Sequence, residues 1–325
     1  MKKGTLKLLL RAGALLLGLA ILIVLLRRVG WAELRSVIRA ANPALLAVAF
    51  CFFIPQVAVM AWRWQLIGGT VQKLSFYDSC RMVLSASALN VVLPSKLGDI
   101  CKGFMLGGGG GTDVARGLGL AALDKLLDIL GLAAVLAIAG AFAAKPEPWV
   151  FGFWAATSAG LLVLLFLLHR ARRIETTPRH KVIGAIARGL NAAIEVRHHR
   201  AAWFGSLGLS LLLWVLHIGQ IFIFYQGVGT HAPATAIWSR VPIGIFVGLL
   251  PITLAGIGTR DGALFLMMAP WDPRPVIAWL GLFCTLRYVV MALLGVPAIM
   301  GLGSVLTASL RAGELPQLAA TDSGE

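Results

Sequence analysis

Long apolar runs, separated by short polar stretches, dominate this sequence. A helix rises about 1.5 Å per residue, so about 20 apolar residues cross a hydrocarbon layer about 30 Å thick. Backbone polar groups in that layer must pair within the chain, and continuous apolar runs favour helices over a β-barrel. The pattern predicts six transmembrane helices, at about 7–26, 43–66, 115–144, 149–168, 201–226 and 276–303.

Two further apolar segments are interrupted. The segment 77–106 breaks at Leu93-Pro94-Ser95, and the segment 239–268 breaks at Leu250-Pro251. Proline removes a backbone donor and clashes with the preceding helical turn. We predict that each segment forms two half-helices that return to their side of entry, which makes two re-entrant hairpins.

The interrupted segments also resemble each other in their place along the chain. Leu250-Pro251 follows Leu93-Pro94 at an offset of 157 residues, and the same offset superimposes the spans that precede and follow each break. An odd number of crossings separates the two copies, so they would be inverted. The sequence predicts an all-α integral membrane protein with about six transmembrane helices and two re-entrant broken-helix hairpins in an inverted repeat.

The chain 1–325 is expected to be one polytopic membrane domain. Its predicted parts are a first span with an interfacial helix at Trp31 to Ala41, repeat 1, a connecting span with a basic cytoplasmic loop, repeat 2 and a polar tail: 1–42, 43–144, 145–200, 201–305 and 306–325. Trp62 and Trp64 flank Arg63 and predict an interfacial anchor at the end of the second span.

Charge is scarce and unevenly placed. Hydrophobic residues make up 58% of the chain and charged residues only 13%, against roughly 25% charged in soluble domains. Much of the net charge of +15 lies between His169 and Arg200. That stretch has no aromatic residue, so the positive-inside rule explains it better than nucleic-acid binding. We expect a multi-pass protein of a bacterial inner membrane with both termini in the cytoplasm.

Motifs for cofactors, metals and familiar catalysis are missing. Cys51, Cys80, Cys101 and Cys284 are scattered, and none of the six histidines is followed by glutamate. The glycine run at 107–111 lacks the lysine of a phosphate-binding loop. We therefore predict no metal site, no cofactor and no enzymatic activity.

Ionisable and polar residues near the two breaks are the candidate site. A charge at membrane depth costs at least about 2.5–3.5 kcal/mol unless it is paired or hydrated. The charges could bind a polar headgroup or a coupling proton, or they could only pair with one another. The predicted substrate-binding residues are Asn90, Ser95, Lys96, Asp99, Lys102, Asp124, Asp128, Thr259, Arg260, Asp261 and Arg287.

The two breaks carry a resemblance to a known family. Asn90, then Leu93-Pro94-Ser95 and Gly98-Asp99, followed by Lys102, is similar to a signature of the flippase-like membrane domain of bacterial lysylphosphatidylglycerol synthases. Gly256-Ile257-Gly258-Thr259-Arg260-Asp261 resembles that family's second motif. Leu97 and Ala255 each stand where the family has glycine, Lys102 replaces an arginine and Asp261 replaces a glutamate.

The resemblance implies a stand-alone member that moves a phospholipid, an aminoacylated lipid or a lipid-linked glycan between leaflets. Its partners would be membrane lipids, with a second copy of the chain or a lipid-synthesis enzyme left open as protein partners. The chain ends soon after its last span, so aminoacyl-lipid synthesis is not expected. Two alternatives stay open: an intramembrane lipid-modifying enzyme, and a non-catalytic membrane partner of cell-envelope enzymes.

Overall fold

The computed structural model describes residues 31–92, 98–107, 112–141, 148–174, 181–250, 253 and 256–300. These residues form twelve α-helices and contain no β-strand. In chain order the helices are α1 (Trp31–Ala40), α2 (Pro43–Cys51), α3 (Phe53–Gly68), α4 (Phe76–Val92), α5 (Ile100–Gly107), α6 (Val114–Ala141), α7 (Pro148–Arg170), α8 (Lys181–Val196), α9 (Arg200–Gly227), α10 (Ala234–Gly248), α11 (Thr259–Met268) and α12 (Arg274–Met300). The predicted all-α class is confirmed for the described residues.

Four helical stretches are long and apolar enough to cross a membrane. They are Pro43–Gly68, formed by α2 and α3, Pro148–Arg170, Arg200–Gly227 and Arg274–Ile299. These match four of the six predicted spans. A fifth predicted span corresponds to α6, which is 28 residues long but carries charges near its middle. The span predicted at 7–26 lies outside the described residues, so the number of crossings stays a prediction.

Both interrupted segments are broken helices. α4 ends at Val92 and α5 begins at Ile100, and α10 ends at Gly248 and α11 begins at Thr259. In each pair the two halves contact each other. Pro94 and Pro251 lie outside the described residues. Entry and return on one side of a membrane stays a prediction.

Glycines shape the described part of the second break. Gly256 and Gly258 have φ angles of 74° and 91°, in the region that glycine adopts without strain. The backbone N–H of Gly258 donates to the Asp261 carboxylate at 3.0 Å, which caps the start of α11. Gly258 thus both ends the break and, through this hydrogen bond, holds Asp261 in the first turn of α11.

Helices at matching places in the two predicted repeats make matching contacts. α4 packs on α12 and its counterpart α10 packs on α6; α5 packs on α6 and α11 packs on α12. α3 and α9, the counterparts that open each repeat, pack on each other. This pairing is what a twofold arrangement of the repeats requires. The repeat and the boundaries of its parts stay predictions.

The stretch predicted as a basic loop contains a helix. α8 spans 16 residues between α7 and α9, and it packs on α6. A helix, α1, is present where the interfacial helix is predicted, with Leu34 buried and Trp31 exposed, and its place at a membrane interface stays a prediction. Trp279 of α12 donates to the Leu34 carbonyl at 2.8 Å and fastens α1 to the bundle.

Candidate functional site

A buried carboxylate on α6 joins three helices. Asp124 accepts from Nε of Arg63 on α3 at 2.8 Å and from Nζ of Lys102 on α5 at 2.5 Å. The side chains of Arg63 and Asp124 are each 4% exposed and that of Lys102 is 7% exposed. Arg63 also donates to the Ser210 hydroxyl on α9 at 3.0 Å. Each carboxylate oxygen of Asp124 thus contacts a different buried cation, and Asp128, 3.6 Å from Arg63, supplies a second negative charge.

Close backbone approach brings Lys102 to this carboxylate. The next residue, Gly103, faces Gly117 of α6, and a Cβ on Gly103 would lie 2.6 Å from the Gly117 carbonyl oxygen. A side chain at either position would hold the two helix backbones further apart. The ammonium of Lys102 also lies 5.1 Å from the ring centre of Trp64, a cation–π distance.

A second set of charges is partly open. Nζ of Lys125 lies 3.1 Å from an Asp99 carboxylate oxygen and 3.8 Å from an Asp128 oxygen. Asn90 donates to the other Asp99 oxygen at 3.0 Å. The side chains of Lys125, Asp99 and Asp128 are 28%, 22% and 15% exposed. They form the accessible side of the same charge cluster, since Arg63 lies 3.6 Å from Asp128.

These two sets border one cavity of about 90 Å³. A single water needs only roughly 10–15 Å³ of such a cavity, so this one can hold several waters. Helices α3, α4, α5, α6, α9 and α12 all contribute to the walls. The lining residues are Met60, Arg63, Ser87, Asn90, Asp99, Lys102, Asp124, Lys125, Asp128, Leu213, Trp214, His217, Tyr288 and Met291.

The six charges around the cavity balance. Arg63, Lys102 and Lys125 are cations, and Asp99, Asp124 and Asp128 are carboxylates. The lining therefore offers both donors and acceptors of charge-assisted hydrogen bonds rather than a net positive field. A ligand with a hydrogen-bonding or dipolar headgroup could exchange contacts with the partly open members, while the buried members stay paired.

A separate polar group surrounds Arg260 on α11. Its guanidinium donates to Asp261 at 2.6 Å, to the Gly281 carbonyl at 2.9 Å and to the Thr285 hydroxyl at 3.0 Å. Thr259 pairs with Thr253 at 2.9 Å. None of these residues lines the cavity. Arg260 thus fastens α11 to α12.

Arg287 does not line the cavity but contacts Tyr288, which does. Arg287 is 4% exposed, donates to Gln220 on α9 at 2.9 Å, and its guanidinium lies 4.9 Å from the ring centre of Tyr288. Gln220 continues the chain of contacts by accepting from Gln56 at 3.1 Å.

The structure brings together five of the predicted residues: Asn90, Asp99, Lys102, Asp124 and Asp128. Thr259, Arg260, Asp261 and Arg287 lie in the neighbouring polar groups, and Ser95 and Lys96 lie outside the described residues.

Sequence reasoning placed Arg63 wrongly. The predicted interfacial anchor would expose it, yet Arg63 and Trp64 are 3% and 0% exposed and only Trp62 is outward-facing, at 54%. Arg63 is the second cation on Asp124 and lines the cavity. The signal was available, because Arg63 lies within an apolar run long enough to span a membrane.

Comparison with known proteins identifies the family. The profile described as "Lysylphosphatidylglycerol synthase TM region" matches residues 11–301. The chain belongs to this family. It is also similar to a UPF0104 membrane protein of Methanothermobacter thermautotrophicus (strain Delta H), with 20% identity over 272 residues that cover 72% of this chain and 76% of that protein.

Membership accords with the helices described above. The family is named for a transmembrane region, and four described helical stretches are long and apolar enough to span a bilayer. The chain is a multi-pass membrane protein. The match begins before the first described residue and ends after the last, so the helices around the cavity all lie within the family region.

Proposed function

We propose that this protein moves the polar headgroup of a membrane lipid between leaflets through the cavity between α3, α4, α5, α6, α9 and α12. The observation that carries the proposal is the partly open charge cluster of Asp99, Lys125 and Asp128 on that cavity. Charges at membrane depth are costly, and such residues commonly mark the path of a substrate or ion.

The chemistry suits a headgroup with both anionic and hydrogen-donating groups. Lys125 and the Asn90 amide can donate to phosphate oxygens, while Asp99 and Asp128 can accept from hydroxyl or amine groups. The headgroup would replace the Lys125–Asp99 contact with contacts of its own. Phospholipids and lipid-linked glycans both carry such groups, and the acyl chains would stay in the bilayer.

A conformational change is part of the proposal. A cavity of about 90 Å³ holds waters rather than a lipid headgroup. Asn90 and Asp99 lie on either side of the break between α4 and α5, and both line the cavity. Movement at this break would widen the site, and an inverted arrangement of the two repeats would let it open alternately to each leaflet.

The matching contacts of α4 with α12 and of α10 with α6 support that arrangement. Within the proposal, the membrane is a bacterial inner membrane, both termini are cytoplasmic, and membrane lipids are the partners. Re-entrant hairpins at the breaks between α4 and α5 and between α10 and α11 are also part of the proposal, because transporters of this plan place broken helices at the midplane.

Leaflet transfer in proteoliposomes tests the proposal. The purified protein is reconstituted with a headgroup-labelled phospholipid, and the rate at which label becomes accessible to a membrane-impermeant quencher is measured. Lys125→Gln should slow transfer by about tenfold or more, because a hydrogen bond to a charged group contributes about 1.5–3 kcal/mol. Lys73→Gln, an exposed lysine outside the cavity, is the matched control.

Two results would contradict the proposal. One is transfer by Lys125→Gln at the wild-type rate, with both variants equally folded. The other is a wild-type rate no higher than that of protein-free vesicles for phospholipid and lipid-linked glycan alike.

A second candidate function is that of a non-catalytic membrane partner of lipid-modifying enzymes. This candidate is favoured by the nearly complete burial and mutual pairing of Arg63, Asp124 and Lys102. A buried ion-pair group of this kind can hold helices together without contacting any substrate. This candidate predicts no leaflet transfer by the isolated protein. It also predicts that the Lys125→Gln variant keeps whatever partner the wild type binds.

A further inference from the structure

α8 presents an apolar stripe that no other helix of the described structure covers. Ile183, Ile186 and Leu190 recur at helical spacing and are 60%, 59% and 47% exposed. The opposite side of the helix carries Arg188 and Glu195. A helix with one exposed apolar face and one charged face is suited to the boundary between water and lipid.

The helix is held in a fixed orientation against α6. Gly189 faces Gly119, and a Cβ on Gly189 would lie 2.7 Å from the Ala115 carbonyl oxygen. Arg188 donates to Asp113, the residue just before the start of α6, at 2.5 Å. Because α8 cannot roll on this contact without separating the two helices, the direction of the apolar stripe is set by the protein itself.

The end of α8 is fastened to the end of α7. Arg197 donates to the carbonyls of Leu168 and His169 at 2.8 and 2.5 Å and to that of Ala171 at 3.1 Å. The Leu168 and His169 carbonyls belong to the last turn of α7, which leaves its carbonyls without an intrahelical partner. α8 is therefore tied both to the helix before it and to α6.

Its neighbours along the chain place α8 beside a membrane surface. α7 ends at Arg170 and α9 begins at Arg200, and both are long and apolar enough to span a membrane. Only three residues, 197–199, separate the end of α8 from the start of α9. Exposed basic side chains surround these connections: Arg170, Arg172, Arg173, His198, His199 and Arg200.

We propose that α8 lies in the plane of the bilayer, with Ile183, Ile186 and Leu190 among the upper acyl chains and the flanking arginines on anionic lipid headgroups. Charge complementarity selects this occupant. A second copy of the chain would bring one arginine-rich rim against another, whereas anionic lipids are attracted by each basic residue near the surface. The inference does not depend on lipid transfer through the cavity.

Depth-dependent quenching tests the placement. In a variant whose four native cysteines are replaced by alanine, an environment-sensitive fluorophore is attached at Ile186→Cys or, on the other side of α8, at Gly184→Cys. A Cβ at Gly184 meets only the end of the Arg188 side chain, at 3.6 Å, so this control position tolerates substitution. Both proteins are reconstituted in phosphatidylcholine vesicles with and without phosphatidylglycerol.

The proposal expects acyl-chain-brominated lipid to quench the 186 fluorophore several-fold more than the 184 fluorophore, and aqueous iodide to do the reverse. Removing phosphatidylglycerol should weaken the lipid quenching at 186. Equal iodide quenching at both positions would overturn the proposal, because the stripe would then face water. Shielding of 186 from iodide without lipid quenching would also overturn it and assign the stripe to a protein. If lipid quenching at position 186 were the same with and without phosphatidylglycerol, the proposed contact with anionic lipid would be overturned.

Discussion

Asp124 links α6 to two other helices, because each of its carboxylate oxygens accepts from a cation on a different helix. Arg63 lies 61 residues before it and Lys102 lies 22 residues before it. All three side chains are almost fully buried. Buried ion pairs contribute less to the free energy of folding than their contacts suggest, because both charges lose their hydration. Removal of one partner is nevertheless costly, since it leaves an unpaired charge in the interior.

Asp124→Asn should therefore destabilise the protein strongly. The substitution leaves Arg63 and Lys102 without their shared counter-charge, at a cost of about 3–5 kcal/mol. Adding Lys102→Met removes one of the two stranded cations and should recover part of that loss. Thermal or denaturant unfolding of the purified protein in lipid–detergent micelles measures both effects.

Asp99→Asn provides the comparison for this experiment. The Asp99 side chain is 22% exposed, so water can replace part of the lost interaction with Lys125. Its destabilisation should be clearly smaller than that of Asp124→Asn. An equal loss in the two variants would contradict the division of the cluster into a buried half and a partly open half.

At the scale of elements, close helix contacts decide where the site residues lie. α5 approaches α6 where Gly103 faces Gly117, and this contact places Lys102 within reach of Asp124. α6 meets α9 in the same way, since a Cβ on Gly131 would lie 2.6 Å from the Ser210 carbonyl oxygen. Small residues at helix interfaces are the usual means of close packing within membranes.

Gly117→Ala should separate α5 from α6. Its new Cβ would collide with the Gly103 carbonyl oxygen, so the helices must move apart and stability should fall by about 1–3 kcal/mol. Gly160→Ala on α7 is the control, because a Cβ there meets no atom within 4 Å. That variant should be at least as stable as the wild type, since alanine favours helix. Unfolding curves that rank the two variants equally would show that the Gly103–Gly117 contact is not tight.

At the scale of the whole molecule, the two halves of the chain hold each other through several helix pairs. Helices before Ile174 contact helices after it in the pairs α1–α12, α2–α9, α3–α9, α4–α12, α6–α8, α6–α9 and α6–α10. The cavity draws its walls from both halves. Neither half alone contains a complete site.

Fragments 1–174 and 175–325, produced together, should therefore assemble and purify through a tag on one of them. Gly131→Leu should lower the yield of the untagged fragment, because it forces α6 away from α9. Gly160→Leu, on the same fragment but facing open space, should leave it unchanged. Recovery of the tagged fragment alone would mean that the contacts between halves are too weak to direct assembly.

Sequence patterns alone predicted the membrane class, the all-α fold, all four of the span-length stretches in the described residues and the two interruptions. These follow from local properties, because apolar length and backbone-breaking residues act within a single segment. Charges close to the interruptions or inside an apolar run also indicated Asp99, Lys102, Asp124 and Asp128 as site residues, although Arg63, in another apolar run, was missed.

Which charges meet depends on how the helices pack. Arg63 joins the cavity, Lys102 shares Asp124 with it, and Arg260 pairs with its own neighbour Asp261 away from the cavity. Ion pairing depends on distances between side chains far apart in sequence, and helix packing sets those distances. Helix α8 was missed because the arginines that flank it dominate the composition of the stretch. Which of its faces stays uncovered depends on its packing against α6.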